Sequence, residues 1–301
     1  MKQQSRSLII GATGQIGRQM LSRLGDHALP TTRAADLIPG WLPLDLAAIA
    51  TADDAERVLA SVPLHAIFCL AGMTNVEACE DQQALATRVN TEAPGALAVV
   101  AARRGIPFVY FSTEYVFDGM GGPYLEEDDA HPLSVYGSSK WRGELAVREA
   151  CPDALILRTT VVYGLDRERK NFVYGLMRKL AAGETMRVPN DQVSTPTYNV
   201  DLATVTQTLV ERGASGIFHV CGPELLSRLE FARRVAEELG LDASLIEGVS
   251  TTALGQRAPR PLDAGLRIDK LRSLHPDLTM HTVAESFDDL RSALREQGVA
   301  G

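Results

Sequence analysis

Cysteine is sparse in this sequence, aromatic residues are few, and no apolar run approaches the length of a membrane span. The four cysteines among 301 residues (Cys69, Cys79, Cys151, Cys221) stand far apart with no Cys-x-x-Cys pair. That spacing excludes a disulfide framework and predicts buried thiols in a reducing compartment. The six histidines show no metal-ligand spacing, so no metal is expected. No apolar stretch reaches the ~18 residues a spanning helix needs, and no basic-plus-apolar leader precedes Leu8. Lys and Arg number 30 against 38 Asp and Glu, a net charge of −8 that argues against a nucleic-acid partner. Internal repeats and low-complexity tracts are missing too. What remains is a soluble, cytoplasmic protein with neither membrane nor nucleic acid as partner, and with core enough for one large or two modest domains.

The first feature present is a strand, a glycine turn and a helix. Leu8-Ile9-Ile10 is a short apolar run, followed by Gly11-Ala-Thr13-Gly14-Gln15-Ile16-Gly17 and by Arg18–Leu24 at helical spacing. Gly11 can take the tight turn, Gly14 lets backbone approach a pyrophosphate, and Gly17 lets helix pack on strand. The helix N-terminus then offers free N–H groups to phosphate. Thr13, Gln15 and Ile16 complete the expected dinucleotide loop. A short second strand, His27–Pro30, leads into Thr31-Thr32-Arg33. An NAD enzyme often carries an acid there. Thr32 and Arg33 instead suit a 2′-phosphate, and Asp36, the nearest acid, comes late. NADPH is the expected cofactor, with NADH left open.

The elements then alternate. Leu44-Asp45-Leu46 is expected to end a third short segment near the adenine, which makes Asp45 and Leu46 cofactor candidates. Ala66–Leu70 reads as a buried strand. It ends in a loop over residues 71–80 at the carboxyl edge of the sheet, where open α/β folds bind ligands. Ala71 and Gly72 are placed on the cofactor side of that loop. Gln82–Arg104 reads as one long Ala-rich helix carrying Asn90, a further cofactor candidate, with Pro94 as an irregularity. Phe108–Phe111 is the next strand and delivers Ser112, Thr113, Glu114 and Tyr115 to the same edge. The acidic run Glu126–Asp129 reads as a solvated loop face. Beyond Arg158 the regularity breaks, and the last helix is expected over Val283–Gln297. The predicted fold is α/β, a doubly wound parallel Rossmann sheet with a smaller, irregular α/β substrate lobe. Residues 1–160 would form the dinucleotide domain, rejoined by 199–220, with 161–198 and 221–301 forming the lobe.

The chemistry sits in Ser134-Val-Tyr136-Gly-Ser-Ser-Lys140-Trp-Arg-Gly-Glu144. On a helix, Tyr136 and Lys140 share a face one turn apart. An unperturbed phenol titrates near ~10, and a neighbouring ammonium is expected to pull that value down. Thr113 follows a core strand at the ligand edge. A hydroxyl, a phenol and an ammonium beside a nicotinamide site supply what carbonyl reduction requires. In this reading Thr113 holds the carbonyl oxygen, with Ser112 as its understudy. Tyr136 protonates the developing alkoxide, and Lys140 stabilises the phenolate and binds the ribose.

These motifs together resemble the extended short-chain dehydrogenase/reductases, and within them the dTDP-4-dehydrorhamnose reductases. The matching stretches are GATGQIG at 11–17, TNVEACE at 74–80, VN at 89–90, STEYVFDG at 112–119, YGSSKWRGE at 136–144, LRTTVVYG at 157–164 and DQVSTPTY at 191–198. The resemblance implies Thr113, Tyr136 and Lys140 as the catalytic trio, with Tyr136 and Lys140 also touching the cofactor. It implies a sugar pocket lined by Thr74, Val76, Glu114 and Tyr115. Arg158, Arg257 and Arg260 are candidates for a nucleotide diphosphate, and of these the resemblance favours Arg260. The implied reaction is reduction of a nucleotide-linked 4-keto-6-deoxy sugar. A non-catalytic NADP-binding partner protein and a sugar-nucleotide epimerase or dehydratase are the alternatives, and a homodimer stays open. Three positions depart from the family. Glu114 stands where Asp is usual, Val161 where the rhamnose enzymes commonly have Trp, and Met73 where they commonly have His. Each alters the shape or the hydrogen-bonding groups of the sugar pocket.

Overall fold

Seven parallel strands form the central sheet of the computed structural model, which describes residues 5–33 and 38–296. They are β1 (Arg6–Ile10), β2 (Ala28–Thr32), β3 (Leu42–Pro43), β4 (Leu64–Cys69), β5 (Phe108–Thr113), β6 (Leu155–Thr159) and, arriving late, β11 (Gly216–His219). Their spatial order is β11-β6-β5-β4-β1-β2-β3. The order reverses between β1 and β4, which opens a crevice at the carboxyl ends of those strands. Each central strand is an unbroken apolar run because helices cover both sheet faces. Leu8, Ile10, Ile67, Tyr110 and Ile156 fill one face, and Ile9, Phe68, Val109, Phe111 and Leu157 fill the other.

The covering helices are α1 (Gln15–Leu24), α2 (Ala52–Leu59), α3 (Val76–Asp81), α4 (Gln83–Thr87), α5 (Ala93–Arg104) and α6 (Val135–Ala150). They are followed by α7 (Phe172–Ala181), α8 (Asn199–Glu211), α9 (Arg228–Glu238), α10 (Asp269–Leu274) and α11 (Val283–Glu296). Three two-stranded pairs lie outside the sheet. β7 (Val162–Tyr163) runs parallel to β10 (Thr197–Tyr198), β8 (Met186–Pro189) parallel to β13 (Ile246–Val249), and β9 (Val193–Ser194) antiparallel to β12 (Leu226–Ser227). A separate apolar cluster sits among these pairs, built from Tyr163, Tyr174, Leu176, Tyr198, Phe231 and Phe287. Residues Leu266, Ile268, Leu271 and Met280 instead pack with the sheet.

Four local expectations are corrected. The third segment pairs with β2 at Leu42–Pro43, earlier than expected. Asp45 then caps a 3₁₀ turn by accepting from the Ala47 N–H at 3.0 Å. Part of the stretch read as a loop is α3, begun by the Asn75 side chain accepting from Ala78 N–H at 3.0 Å. The long helix is broken by a π-turn at Arg88–Glu92. Pro94 has no N–H to give the carbonyl four residues back. That carbonyl, of Asn90, accepts the Tyr110 hydroxyl at 2.7 Å instead. Glu126 is buried rather than solvated, its carboxylate accepting from the His219 backbone N–H at 2.9 Å. All four cysteines are buried free thiols. Asp36 and Gln297 lie outside the described residues. Among the described residues, no helix is long and apolar enough to cross a membrane.

Candidate active site

The glycine loop closes β1 onto α1 without room to spare. Gly11 has φ +93°, which favours glycine. A Cβ on Gly17 would lie 2.2 Å from the Gly11 carbonyl oxygen, so helix and turn touch through backbone alone. Gly14 differs, since the nearest atom to its added Cβ would be 3.4 Å away. It is the N-cap of α1 and makes no side-chain cap, so the first N–H groups at Gln15, Ile16 and Gly17 have no side-chain acceptor there. Thr13, Gln15 and Ile16 are half-buried around that opening. An uncapped helix start behind a glycine with free space fits a pyrophosphate. Ala71 and Gly72, half-buried after β4, border the same crevice.

At the end of β2, Thr31 spends its hydroxyl on the Ile9 carbonyl at 3.2 Å. Thr32 is buried, its hydroxyl 3.4 Å from the Arg33 carbonyl, and Arg33 is exposed. Asp45 is exposed and Leu46 buried on the facing turn. Lys170, from the loop before α7, carries charge close enough for Arg33 to oppose its own. That second cation was not expected from the sequence.

Asn90, the further cofactor candidate, packs beneath the loop after β4. It is fully buried. Its amide accepts from Met73 N–H at 2.8 Å and donates to the Met73 carbonyl and to Ser139 Oγ, both at 3.0 Å. It therefore acts on the crevice by pinning the loop after β4 to α6.

Helix α6 starts at Val135 because Ser134 accepts from Gly137 N–H at 3.1 Å. Its packed face carries Tyr136, Lys140 and Glu144, all buried. Thr113 stands close enough to Tyr136 to act on its phenol, so the end of β5 meets the first turn of α6. Thr113 also donates to Glu114 at 2.7 Å, and Glu114 takes a second hydroxyl, from Thr160, at 2.9 Å. The Tyr115 ring stands edge-on to Tyr136 at 5.3 Å.

The electrostatics differ from the sequence reading in one respect. Burial, reinforced by the Glu114 charge, pushes the Tyr136 phenol well up rather than down. Lys140 does not offset this, because its ammonium donates to the Phe111 carbonyl and lies 4.1 Å from the Tyr110 ring centroid. Burial pulls Lys140 down to about 8, against the opposing pull of Cys69 and Glu144. Burial also raises Glu114, which its two hydroxyl donors only partly offset.

Thr74 is exposed on the loop after β4, and Val76 opens α3 against the Tyr136 cluster. Arg260 is tied to Glu77 at 2.9 Å, which holds the Glu77 carboxyl below its ordinary value. Arg257 is spent on Asp81 at 3.0 and 2.8 Å. Arg158 is buried and bidentate on Glu144 at 3.0 and 2.7 Å. Gln15 donates to the Val162 carbonyl at 3.2 Å and accepts from Asn171 at 3.1 Å, which fastens the glycine loop to the segment after β6.

A family model described as the RmlD substrate binding domain matches residues 5–290. The chain belongs to this family. It is an NAD(P)-dependent oxidoreductase of the extended short-chain type. A dTDP-4-dehydrorhamnose reductase of Mycobacterium tuberculosis is 37% identical over 265 residues, covering 85% of this chain and 82% of the relative. A probable low-salt glycan biosynthesis reductase, Agl14 of Haloferax volcanii, is 36% identical over 261 residues, covering 85% and 87%. The solved dTDP-4-dehydrorhamnose reductase of Bacillus anthracis, in complex with NADP, superposes with a TM-score of 0.86 at 28% identity, covering 97% of this chain and all of its own.

Proposed function

We propose that this protein reduces the keto group of a nucleotide-linked 4-keto-6-deoxy sugar with NADPH, and that Tyr136 is the general acid. The observation that carries this is that Thr113, buried at the carboxyl end of β5, stands beside the buried Tyr136 phenol on α6. The two groups can share one substrate oxygen between them. Thr113 would hold it, and Tyr136 would deliver the proton as charge develops on it. Because burial keeps the phenol protonated throughout the neutral range, the donor is loaded before the reaction starts. Bound in the crevice, the reduced nicotinamide supplies the hydride. Gly11, Thr13, Gly14, Gln15, Ile16 and Gly17 would cradle its pyrophosphate, and Thr32 and Arg33 its 2′-phosphate. Asp45, Leu46, Ala71 and Gly72 would border it. Lys140, once drawn off the Phe111 carbonyl, would serve the ribose. Thr74, Val76, Glu114, Tyr115 and Arg260 would line the sugar site.

The same reading divides the chain into a dinucleotide domain (1–160 with 199–220) and a substrate lobe (161–198 and 221–301), and sets it in the cytoplasm. The apolar cluster around Tyr163 and Phe231 supports the division. The test is a panel of nucleotide-linked 4-keto sugars offered with NADPH, following loss of its absorbance. Turnover of at least one member is expected. With Val161 and Met73 in the pocket, dTDP-4-dehydrorhamnose should be a poor substrate beside a differently substituted sugar. Turnover of none, with cofactor binding intact, would favour the partner-protein alternative.

A further inference from the structure

Glu114 follows Thr113 directly at the carboxyl end of β5 and is buried, with 7% of its surface exposed. Its two carboxyl oxygens are each met by a hydroxyl, Thr113 at 2.7 Å and Thr160 at 2.9 Å. Among the described residues no basic side chain reaches ion-pair distance of it, and the Arg228 charge it feels counts for less than burial. Thr160 is brought to it from the segment after β6. The next residue, Val161, sits at φ +42°, which a β-branched residue rarely adopts. Such a conformation persists only where neighbours enforce it. Here Thr160 bonds Glu114, the Val161 carbonyl accepts from Thr197 N–H at 3.2 Å, and the Val162 carbonyl accepts from Gln15 at 3.2 Å.

The hydrogens around Thr113 can be counted. A threonine hydroxyl has one hydrogen and two lone pairs. One lone pair takes the Tyr115 backbone N–H at 3.3 Å. A carboxylate can only accept, so while Glu114 is ionised the single hydrogen of Thr113 is committed to it. Nothing is left to donate to a keto oxygen. With a proton on Glu114 the bond reverses. The carboxyl O–H then donates to Thr113 and fills its second lone pair, and the other carboxyl oxygen still accepts from Thr160. The Thr113 hydrogen is free for the substrate. Neutral Glu114 also removes the charge that helps to raise the Tyr136 phenol, so the phenol is a stronger acid in the same state.

We propose that Glu114 works as a neutral carboxylic acid, a positioning residue that must hold a proton for Thr113 to grip the keto oxygen. This rests on the reductase reading. No proton leaves Glu114 during the reaction, and Tyr136 supplies the one that ends on the sugar. Burial holds the Glu114 carboxyl above the ordinary range, while the two hydroxyls pull it down. The titratable groups facing it are Tyr115 on its own turn, Tyr136 from α6, Cys221 after β11 and Arg228 from α9. Burial raises both phenols and the thiol, so only Arg228 is charged at neutral pH. Hydride transfer should therefore slow as pH rises through the Glu114 value. Lys140, brought down to about 8, adds a separate fall of its own.

The test follows single-turnover oxidation of NADPH against pH, on whichever 4-keto sugar proves active. Thr160→Val removes a hydroxyl that favours the carboxylate. The fall should move up by about 1–2 pH units, the size of one hydrogen bond to a charged group. Glu114→Gln, whose amide copies the donor of the neutral acid, should lose that fall and keep only the one from Lys140, whatever its rate. A merely structural Glu114 would change rates without moving the pH of the fall. NADP binding reports that each variant is folded. The infrared carbonyl stretch of a protonated carboxyl, taken as the difference from Glu114→Gln, reads the same proton in the NADP-loaded protein without turnover. It should persist to higher pH in Thr160→Val. An unmoved fall in Thr160→Val would overturn the proposal and leave the reductase reading standing. So would the absence of that band at a pH where the wild type runs at its full rate. Turnover of no sugar at all would remove both.

Discussion

Lys140→Met should make the ligand-free protein more stable at neutral pH while removing what the site needs. Burial brings the Lys140 ammonium from 10.5 down to about 8. Each pH unit of such a shift corresponds to 1.36 kcal/mol, so the charged form is disfavoured by about 3 kcal/mol. The native value lies below the unfolded one. Between pH 8 and 10.5 the unfolded chain therefore binds more protons than the native chain, and this group's contribution to stability rises with pH. Below pH 8 the whole cost is present. Methionine fills nearly the same volume without the charge. It forfeits the bond to the Phe111 carbonyl and the contact with the Tyr110 ring, together worth about 1–2 kcal/mol. The net gain at pH 7 is then about 1–2 kcal/mol. Urea denaturation of both proteins at pH 7 and pH 10 measures it, and taking the difference cancels most of what the buried tyrosines and cysteines contribute. The gain should shrink or reverse at pH 10. A variant less stable than wild type by the same amount at both pH values would refute the reasoning. NADPH affinity and turnover should fall in the same variant, as expected where a site keeps a costly group for its chemistry.

Other outcomes follow from the same geometry. Tyr136→Phe keeps the ring against Tyr115. It should leave NADPH affinity unchanged while single-turnover oxidation slows by ~10²–10⁴, and an undiminished rate would reject Tyr136 as the acid. Arg33→Ala should cost NADPH about 1.5–3 kcal/mol of binding and leave NADH nearly unaffected, read by fluorescence titration of each; equal affinities in the parent would sink the assignment. Gly17→Ala drives a Cβ into the Gly11 carbonyl at 2.2 Å and should lower the unfolding midpoint by the equivalent of about 1–3 kcal/mol. Gly14→Ala meets nothing closer than 3.4 Å, so it should spare stability and instead weaken cofactor binding tenfold or more. The two alanine variants behaving alike in a thermal melt and a cofactor titration would contradict that separation.

Where one physical cause dominated, the sequence was readable. The strands β1, β4, β5 and β6 are apolar because they are buried on both sides. Helix α6 announced itself through the four-residue spacing of Tyr136 and Lys140. Features set by distant partners were not readable. Glu126 sits in an acidic run, and only the His219 N–H, far along the chain, draws it inward. The π-turn needed Tyr110 to receive the carbonyl that Pro94 releases. Helix α3 is only six residues long, too short for a period to show. Its Asn75 cap, three residues before Ala78, was the signal available.

The expectation about Tyr136 failed instructively, because i and i+4 on a helix guarantee a shared face but not a contact. What lies under that face decides where each side chain goes. Helix α6 rests on its neighbours through glycine. A Cβ on Gly137 would be 2.1 Å from the Tyr115 carbonyl oxygen, and one on Gly143 would be 2.2 Å from the Asn90 carbonyl oxygen and 2.3 Å from the Tyr110 hydroxyl. At that separation Lys140 reaches β5 directly and takes the Phe111 carbonyl and the Tyr110 ring. One turn further on, Glu144 accepts from Ser112 and from Arg158, leaving side-chain exposures of only 2% for the carboxylate and 4% for the guanidinium. Such a pair costs desolvation and is weak evidence for stability. What it does here is geometric. It ties α6 to β5 and β6 at Ser112, the residue next to Thr113, and so holds fixed the distance between the hydroxyl and the phenol that must meet on one oxygen.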